Sequence, residues 1–134
     1  MTRKIVSSGN VSGSYGNARC DLRATLGSLE IPSAILTASG CAAAGRELDN
    51  YFDITQIGGI VTKSIMLAPR SGRAAPRMAE TPSGMLNSIG LQGPGVESFI
   101  ENDLVWLRQR GARTIVSIAG GTAEEFGKVA AKLR

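Results

Sequence analysis

The residues best suited to chemistry follow three short apolar runs. Ser39 follows the first run, Lys63 and Ser64 follow the second, and Ser117 lies near the end of the third. A lysine that comes directly after a buried strand can stabilise an anionic ligand at close range. Each serine taken alone is also an ordinary turn residue that bonds nearby backbone, and Lys63 can also be read as a lysine that extends its ammonium to solvent.

A second candidate is the stretch 81–95, which is rich in glycine and proline but also carries aliphatic side chains. It is too polar for a core strand and too apolar for a solvated linker. Long, semi-apolar loops of this kind often wrap a small ligand. Asn87 within it can be a plain turn residue, but its amide can also both donate to and accept from a planar, amide-bearing ligand.

Several kinds of site are excluded by composition. The sequence has no histidine, which removes a histidine-based triad and any zinc site with histidine ligands. Its two cysteines, Cys20 and Cys41, form no CxxC pair, and no histidine could activate either thiol. We therefore expect packing roles for both and no metal site. Gly120-Gly121-Thr122 could bind an anion at a helix start, but a simple capped turn explains it better.

Charge and hydropathy indicate the class of protein. The chain has 134 residues, a net charge of +4 and 43% hydrophobic residues, which is typical of one modest globular domain. Arg70, Arg73 and Arg77 cluster without aromatic neighbours, which favours a solvated loop or one that faces an anionic ligand over a nucleic-acid site. Because no apolar run reaches membrane-spanning length and no signal peptide is recognisable, we expect a cytoplasmic protein.

The elements that must position these residues can be read from the periodicity. Residues 1–20 show no period and predict a disordered leader, whereas 21–134 form the folded part. The pattern in the folded part predicts a hairpin at 22–31, β runs at 33–37, 60–64 and 114–118, helices at 42–52, 95–110 and 122–133, and a small hairpin that pairs 65–67 with 78–79. The last helix has a Thr122/Glu125 capping box and an apolar stripe at Phe126, Val129, Ala130 and Leu133.

This alternation of strands and helices predicts a parallel sheet with right-handed crossovers. In such sheets the carboxyl ends of the strands converge on one rim, so Ser39, Lys63, Ser64 and Ser117 should meet there under the 65–93 connection. Three βα units are too few to close a (β/α)₈ barrel of about 250 residues. The units could form a small open sheet or the first part of a barrel.

The same residues resemble the dihydroorotate dehydrogenase family. The resemblance covers about residues 21–134 and rests on these runs, in order: Thr37-Ala38-Ser39-Gly40, Val61-Thr62-Lys63-Ser64, Pro69-Arg70, Pro76-Arg77-Met78-Ala79-Glu80-Thr81-Pro82-Ser83-Gly84-Met85-Leu86-Asn87-Ser88-Ile89-Gly90-Leu91-Gln92-Gly93-Pro94-Gly95, and Ile118-Ala119-Gly120. The motif Asn-x-Ile-Gly-Leu-Gln-x-Pro-Gly at 87–95 is similar to that of the NAD-linked class, class 1B.

The resemblance implies the fold and the site. The expected fold is α/β: the first three βα units of a TIM (β/α)₈ barrel preceded by a β-hairpin, an incomplete barrel with FMN at its carboxyl rim. Ser39, Lys63 and Ser64 would contact FMN, and Lys63 would also reach the substrate and stabilise the reduced flavin. Ser117 stands where the family usually has asparagine, and it would be a further flavin contact. The orotate ring would be held by Asn87, Ser88, Ile89, Gly90 and Leu91.

The implied reaction is the flavin-dependent oxidation of dihydroorotate to orotate in pyrimidine biosynthesis. The family's base, a cysteine in this class, and the loops that bind the FMN phosphate would lie beyond Arg134. No catalytic residue is therefore assigned, and the chain is expected to be the inactive N-terminal part of a longer enzyme. The implied partners are dihydroorotate or orotate, a second copy in a homodimer, and an FAD/iron–sulfur subunit that links to NAD. The alternatives are a non-catalytic half-barrel module that associates with a complementary chain, and a piece of another FMN barrel such as dihydropyrimidine dehydrogenase.

Overall fold

The computed structural model describes residues 14–15, 18–19 and 21–134. Two short strands lie within the stretch predicted as a leader, where β1 (Ser14–Tyr15) pairs antiparallel with β2 (Ala18–Arg19). The other residues of 1–20, among them Cys20, lie outside the described residues, so the disordered leader stays a prediction.

The predicted hairpin is present. Strand β3 (Ala24–Leu26) pairs antiparallel with β4 (Leu29–Ile31), and Leu26 faces Leu29 across the turn. Gly27 takes a φ of 62° in this turn, a left-handed conformation that glycine adopts without steric cost. The glycine therefore sets the place of the turn, as the sequence pattern indicated.

Three chain segments lie side by side in a parallel arrangement. Strand β5 (Ile60–Val61) pairs parallel with β8 (Thr114–Ile115). A single parallel bridge between Leu36 and Gly59 adds the first apolar run on the other side of β5. Gly58 permits this close approach, because a Cβ there would lie 2.2 Å from the carbonyl oxygen of Ser33. The expected parallel arrangement is thus present, although the regular ladder is short and the first run contributes a single bridge rather than a strand.

The prediction of a helix over 42–52 is wrong. Ala43 and Gly45 have φ values of 46° and 86°, which no α-helix accommodates. The segment instead forms turns and a short 3₁₀ helix at Leu48–Asn50, followed by a second 3₁₀ helix at Ile54–Gln56. The backbone turns at Ala43 because its carbonyl accepts a hydrogen bond from Lys63 N–H at 2.9 Å, a contact with the neighbouring strand that local propensity cannot reveal.

The helix predicted over 95–110 is present and contains an irregular centre. It begins with α1 (Val96–Ser98), continues through a π-helical stretch at Phe99–Leu104 and ends with α2 (Val105–Arg110). Gly111 follows in the left-handed conformation with a φ of 71°, as expected for a glycine directly after a helix.

Helix α3 (Ala123–Lys132) has the predicted cap. The Thr122 hydroxyl accepts a hydrogen bond from Glu125 N–H at 3.2 Å, and the Glu125 carboxylate accepts one from Gly121 N–H at 2.6 Å. The second bond differs from the standard capping box, in which the glutamate accepts from the N-cap residue itself. The apolar stripe is only partly covered, since Val129 is buried and Phe126 is 41% exposed.

The second connection, which runs from the end of β5 to α1, contains a hairpin whose strands differ from the predicted ones. Strand β6 (Met78–Thr81) pairs antiparallel with β7 (Gly84–Asn87), and both are exposed along their whole length. The predicted pairing of 65–67 with 78–79 is wrong. Ile65 is only 3% exposed and instead forms a parallel bridge with Ile118, so the sheet takes up this residue before the connection begins.

Two apolar clusters hold the helices against the sheet. One centres on Ala44, Ile54, Ile60 and Leu107, and the other on Ile65, Val96, Phe99 and Val129. The helical segment 96–110 contributes to both clusters and so fixes the sheet against the first and last parts of the chain. Burying a large apolar side chain completely contributes about 1.5–3 kcal/mol. The fold of residues 21–134 is thus α/β, and its strands do not close into a barrel. In this same part of the chain, no helix has the length and apolar character needed to cross a membrane.

Candidate ligand-binding rim

Three serine hydroxyls meet where the three parallel segments end. The Oγ of Ser64 lies 2.9 Å from the Oγ of Ser39 and 2.9 Å from that of Ser117, so the three form one continuous hydrogen-bonded chain. Ser39 is exposed and the other two are half-buried, so the chain is open to a ligand at one side. The structure therefore brings together the three serines that the sequence placed on one rim.

Two threonines that the sequence reasoning did not single out lie just before this serine chain. The Thr37 hydroxyl donates to the Val61 carbonyl at 3.1 Å and accepts from Val61 N–H at 2.8 Å. The Thr62 hydroxyl accepts from Ser117 N–H at 3.3 Å, and its residue is only 1% exposed. A signal was present in the sequence, because a Thr-x-Ser pattern occurs at both 37–39 and 62–64.

Lys63 is half-buried at the same rim. Its backbone N–H is bound to the Ala43 carbonyl, and none of the salt bridges within 21–134 includes its ammonium. A half-buried lysine that no carboxylate neutralises can serve an anionic ligand, because its charge is less screened than at the open surface.

A cavity of about 450 Å³ opens beside Lys63. It lies between the end of β5, the helical segment 96–110 and the second connection, and its lining also includes Thr62, Arg70, Gln92 and Asp103. Neither the serine chain nor residues 87–91 line this cavity. The cavity therefore lies next to the serine chain, and Lys63 and Thr62 belong both to the rim and to the lining of the cavity.

The predicted recognition segment, 87–91, is positioned by the second connection itself. Asn87 ends strand β7 and is exposed, as are Ser88 and Leu91. Arg73 N–H donates to the Ile89 carbonyl at 3.0 Å, and Ser88 N–H donates to the Arg77 carbonyl at 2.8 Å. Within 21–134, no hydrogen bond joins residues 87–91 to Lys63 or the serines. The structure thus brings the rim residues together and holds the recognition segment separately.

Glycines permit the tight contact between this segment and residues 70–77. Gly90 has a φ of 82°, and a Cβ there would lie 2.8 Å from the backbone nitrogen of Arg73. Gly72 has a φ of 78°, and its Cβ would lie 2.6 Å from the Ile89 carbonyl oxygen. The two chain segments can therefore run against each other only while both positions remain glycine.

Of the three clustered arginines, Arg77 anchors the segment. Its Nε donates to the Arg73 carbonyl at 2.6 Å and its Nη2 to the Ser71 carbonyl at 3.3 Å, and a further bond reaches the Gln92 side chain. The Arg70 guanidinium makes a single hydrogen bond within 21–134, to the sulfur of Met66 at 4.0 Å. The cluster therefore combines one structural arginine with side chains that remain open to solvent or to an anion.

Cys41 has a local role. Its thiol accepts a hydrogen bond from Ala38 N–H at 3.1 Å, and its own N–H donates to the Ala38 carbonyl, so both groups close the turn that carries Ser39. The side chain is exposed rather than buried, which differs from the expected packing role. In the part of the chain that the structure describes, no group of three acidic, histidine or cysteine residues could hold a metal ion.

Below the rim, Asp53 caps the short helix that leads into β5. Hydrogen bonds from the N–H and the hydroxyl of Thr55 lower the pKa of the Asp53 carboxyl below its ordinary value of 3.8. Arg110, 3.7 Å away, acts in the same direction. This turn places Ile54 under β5, since Ile54 is 1% exposed and packs in the same cluster as Ile60.

Comparison with known proteins gives a consistent result. The family model described as dihydroorotate dehydrogenase matches residues 21–134. The chain is 46% identical over 113 residues to the catalytic subunit of dihydroorotate dehydrogenase B (NAD(+)) from Thermoanaerobacter pseudethanolicus, a match that covers 84% of this chain and 37% of that protein. The subunit of the same name from Alkaliphilus metalliredigens is 43% identical over 115 residues, which cover 86% and 38% of the two chains. A third, from Geotalea daltonii, is 41% identical over 116 residues, with 87% and 38% covered. The chain therefore spans less than two fifths of the length of these relatives.

Proposed function

Because the chain belongs to the dihydroorotate dehydrogenase family, we propose that it forms the flavin-facing rim and the substrate-recognition segment of an NAD-linked dihydroorotate dehydrogenase. The activity proposed for the longer protein is the oxidation of dihydroorotate to orotate in pyrimidine biosynthesis. The fold proposed for residues 21–134 is the first three βα units of a TIM barrel, preceded by the β3–β4 hairpin.

The observation that supports this proposal is the serine chain at the ends of three parallel segments, with Lys63 beside it. Ser39, Ser64 and Ser117 are far apart in sequence, yet their hydroxyls lie within 2.9 Å of a neighbour. In parallel α/β folds this end of the sheet is where ligands bind. Three hydroxyls and the Lys63 ammonium, which forms no salt bridge within 21–134, make a polar, positively charged site at that position.

The chemistry of these groups fits FMN. The pyrimidine edge of a flavin alternates hydrogen-bond donors and acceptors, and hydroxyls can serve as either. We assign Ser39, Lys63, Ser64 and Ser117 to the cofactor. FMN when bound would accept the hydride that leaves dihydroorotate. Lys63 would hold its positive charge next to the ring system and favour negative charge there, which is an electrostatic contribution.

The second connection supplies the proposed substrate contacts. We assign Asn87, Ser88, Ile89, Gly90 and Leu91 to the orotate ring and its carboxylate, and Lys63 to both ligands. The amide of Asn87 and the backbone groups of an exposed, glycine-containing segment suit a flat ring that carries amide groups. No catalytic base is assigned to this chain, because the family resemblance implies a cysteine base on a later segment, and Cys41 instead accepts a hydrogen bond in its own turn.

The proposed partners follow the names of the relatives. A catalytic subunit that is NAD-linked needs a second subunit for electron transfer, and we propose an FAD/iron–sulfur protein for that role. A second copy of the catalytic subunit is proposed as a homodimer partner. Both assignments concern the longer protein.

The test is a titration of this chain with FMN, followed by the quenching of flavin fluorescence. We expect saturable binding, and an affinity about tenfold lower in Ser64→Ala and Lys63→Met, since each loses a hydrogen bond or charge contact of about 1–3 kcal/mol. Lys128→Met is the matched control, because Lys128 pairs with Glu124 on α3 and lies outside the rim. We expect only background oxidation of dihydroorotate by this chain alone.

Equal affinities for the wild type, Ser64→Ala and Lys63→Met would contradict the assignment of the rim. Absence of saturable FMN binding would contradict the proposed cofactor site in this chain. Robust turnover by the chain alone would show that it contains a base that we have not assigned.

A further inference from the structure

A repeated pattern lies just before the serine chain. Two neighbouring segments end in Thr-x-Ser, with Thr37 two residues before Ser39 and Thr62 two residues before Ser64. In each case the serine bonds to the serine of the next segment. The threonine of each pair also bonds to the backbone of that same next segment.

Thr37 extends the contact between the first two segments beyond their backbone pairing. Its N–H donates to the Gly59 carbonyl at 3.2 Å, which is the last backbone hydrogen bond before the chain turns away at 38–41. Its hydroxyl then binds both the N–H and the carbonyl of Val61. The Thr37 hydroxyl thus bonds the N–H and the carbonyl of Val61, which the backbone of the first segment does not contact because it turns away after Thr37.

Thr62 has the same relation to the third segment. Its own N–H donates to the Ile115 carbonyl at 3.0 Å, and Ile65 N–H donates to the Ser117 carbonyl at 2.8 Å. Between these two bonds the backbone of Lys63 is directed away, toward Ala43. The Thr62 hydroxyl therefore accepts the hydrogen bond from Ser117 N–H at the point where a backbone partner is missing.

We propose that Thr37 and Thr62 are positioning residues that hold the serine chain in register. The regular pairing of β5 with β8 covers two residues on each strand, and beyond the serines a single Ile65–Ile118 bridge joins the same two segments. Two-residue ladders constrain the strand ends weakly, and the serine hydroxyls need a fixed spacing to stay hydrogen-bonded. The hydrogen bonds of Thr37 and Thr62 provide that constraint two residues before Ser39 and Ser64 of the serine chain.

A count of protons shows why the spacing matters for a ligand. Three serine hydroxyls carry one proton each, and the two hydrogen bonds between them use two. One hydroxyl proton is therefore left for a ligand while the serine chain is intact. If the hydrogen bonds between the serines broke, none of the three protons would have a fixed direction. The threonines would thus act on a ligand at the serine chain through the serines.

The first test needs no ligand and uses amide hydrogen exchange measured by NMR on the full chain. In Thr62→Val the exchange of Ser117 N–H should accelerate about fivefold or more, because the variant removes an acceptor of about 1 kcal/mol without changing the side-chain volume much. Thr62→Ser restores the hydroxyl and should return the rate to within about twofold of wild type. Thr37→Val should have the corresponding effect on Val61 N–H.

Thr114→Val is the matched control. Thr114 lies in the same third segment, and its hydroxyl donates to the Ala112 carbonyl at 3.1 Å, at the opposite end from the rim. The variant removes a comparable hydrogen bond and should leave the Ser117 amide unchanged. The proposal is overturned if Thr62→Val leaves Ser117 exchange at the wild-type rate, if it accelerates Ile60 and Ser117 equally, or if Thr62→Ser behaves like Thr62→Val.

The second test rests on the proposed function and asks whether the threonine acts through the serines. In an FMN titration, Ser64→Ala should weaken binding about tenfold in the wild type but by less than about twofold in the Thr62→Val background. Equal effects of Ser64→Ala in both backgrounds would contradict a role of Thr62 that acts through the serine chain. If the wild-type chain does not bind FMN, the proposed function fails, whereas the amide-exchange result decides the role of the threonines by itself.

Discussion

The rim and the recognition segment are both assigned to one ligand site, yet they are held in place by different means. The rim depends on hydroxyls from three segments, and its two serine contacts span 25 and 53 residues of sequence. Residues 87–91 are held by backbone hydrogen bonds to 73–77, within the same connection. The rim should therefore form only when the sheet forms, whereas the segment depends on local geometry.

Burial shows the same contrast. Ile60, Thr62 and Ile65, which lie along the strand that leads to the rim, are at most 3% exposed. Every residue of β6 and β7 is exposed. Changes under the rim should therefore cost global stability, whereas changes in the second connection should alter local order and ligand contacts with a small effect on unfolding.

The largest effect should come from Gly58→Ala. The new Cβ would lie 2.2 Å from the Ser33 carbonyl oxygen and 2.9 Å from that of Ile35, so the first segment must move away from β5. We expect a loss of about 3 kcal/mol or more in the free energy of unfolding, measured by urea denaturation. In Gly84→Ala the nearest atom would be a side-chain oxygen at 3.7 Å, and the change should stay below about 0.5 kcal/mol. Similar losses in both variants would remove the contrast between the two regions.

The next effect concerns the recognition segment. Gly90→Ala forces a left-handed φ on alanine and places its Cβ 2.8 Å from Arg73 N. We expect a local cost of about 1–3 kcal/mol, seen as faster amide exchange at Arg73 and weaker orotate binding, with little change in global unfolding. Gly93→Ala, whose Cβ would meet nothing closer than 4.0 Å, is the control. A global loss as large as that of Gly58→Ala would show that the segment is part of the main folding unit.

A smaller effect is expected for Arg77→Met. The variant removes the bonds to the Arg73 and Ser71 carbonyls and to Gln92, and should free the segment by about 1–2 kcal/mol. Amide exchange at Ser88 and Ile89 would report it. Arg73→Met is the control, because the Arg73 guanidinium makes no hydrogen bond within 21–134. The anchoring role would be wrong if both variants accelerated exchange to the same extent.

The smallest effect is that of pH on the turn at Asp53. The pKa of this carboxyl is lowered in the folded state, so its contribution to stability is present above its ordinary value of 3.8 and is lost as pH falls through the lower, folded-state pKa. The side chain is 47% exposed, and solvent screening limits the effect to a few tenths of a kcal/mol. Asp53→Asn keeps a capping side chain and should flatten this part of the urea-midpoint profile below pH 4. An unchanged profile would assign the acid sensitivity to other carboxyls.

Local sequence signals predicted the elements whose ends are set by single residues. Gly27 places the hairpin turn, Gly111 ends the helical segment, and Thr122 caps α3, and each does so through its own backbone or side chain. These features are predictable because the interactions that decide them lie within a few residues.

The failures share the opposite cause. Residues 42–52 have a helical composition, but the Ala43 carbonyl is needed by Lys63 N–H on a neighbouring strand. Residues 65–67 looked free to form a hairpin, but Ile65 is bound to Ile118 in the sheet. Long-range hydrogen bonds and burial overrode local propensity at both places, and neither is visible in a single stretch of sequence.

The sequence alone determined which residues lie at the strand ends, the family resemblance, and the absence of histidine chemistry, because these depend on residue type and order. Only the tertiary structure decided that the three serines form one hydrogen-bonded chain, that Thr37 and Thr62 bond across to the next segment, and that residues 87–91 are fixed by Arg73 and Arg77. The physical reason is distance. Hydrogen bonds act only within about 3.5 Å, and residues up to 55 positions apart come that close only when the sheet has formed.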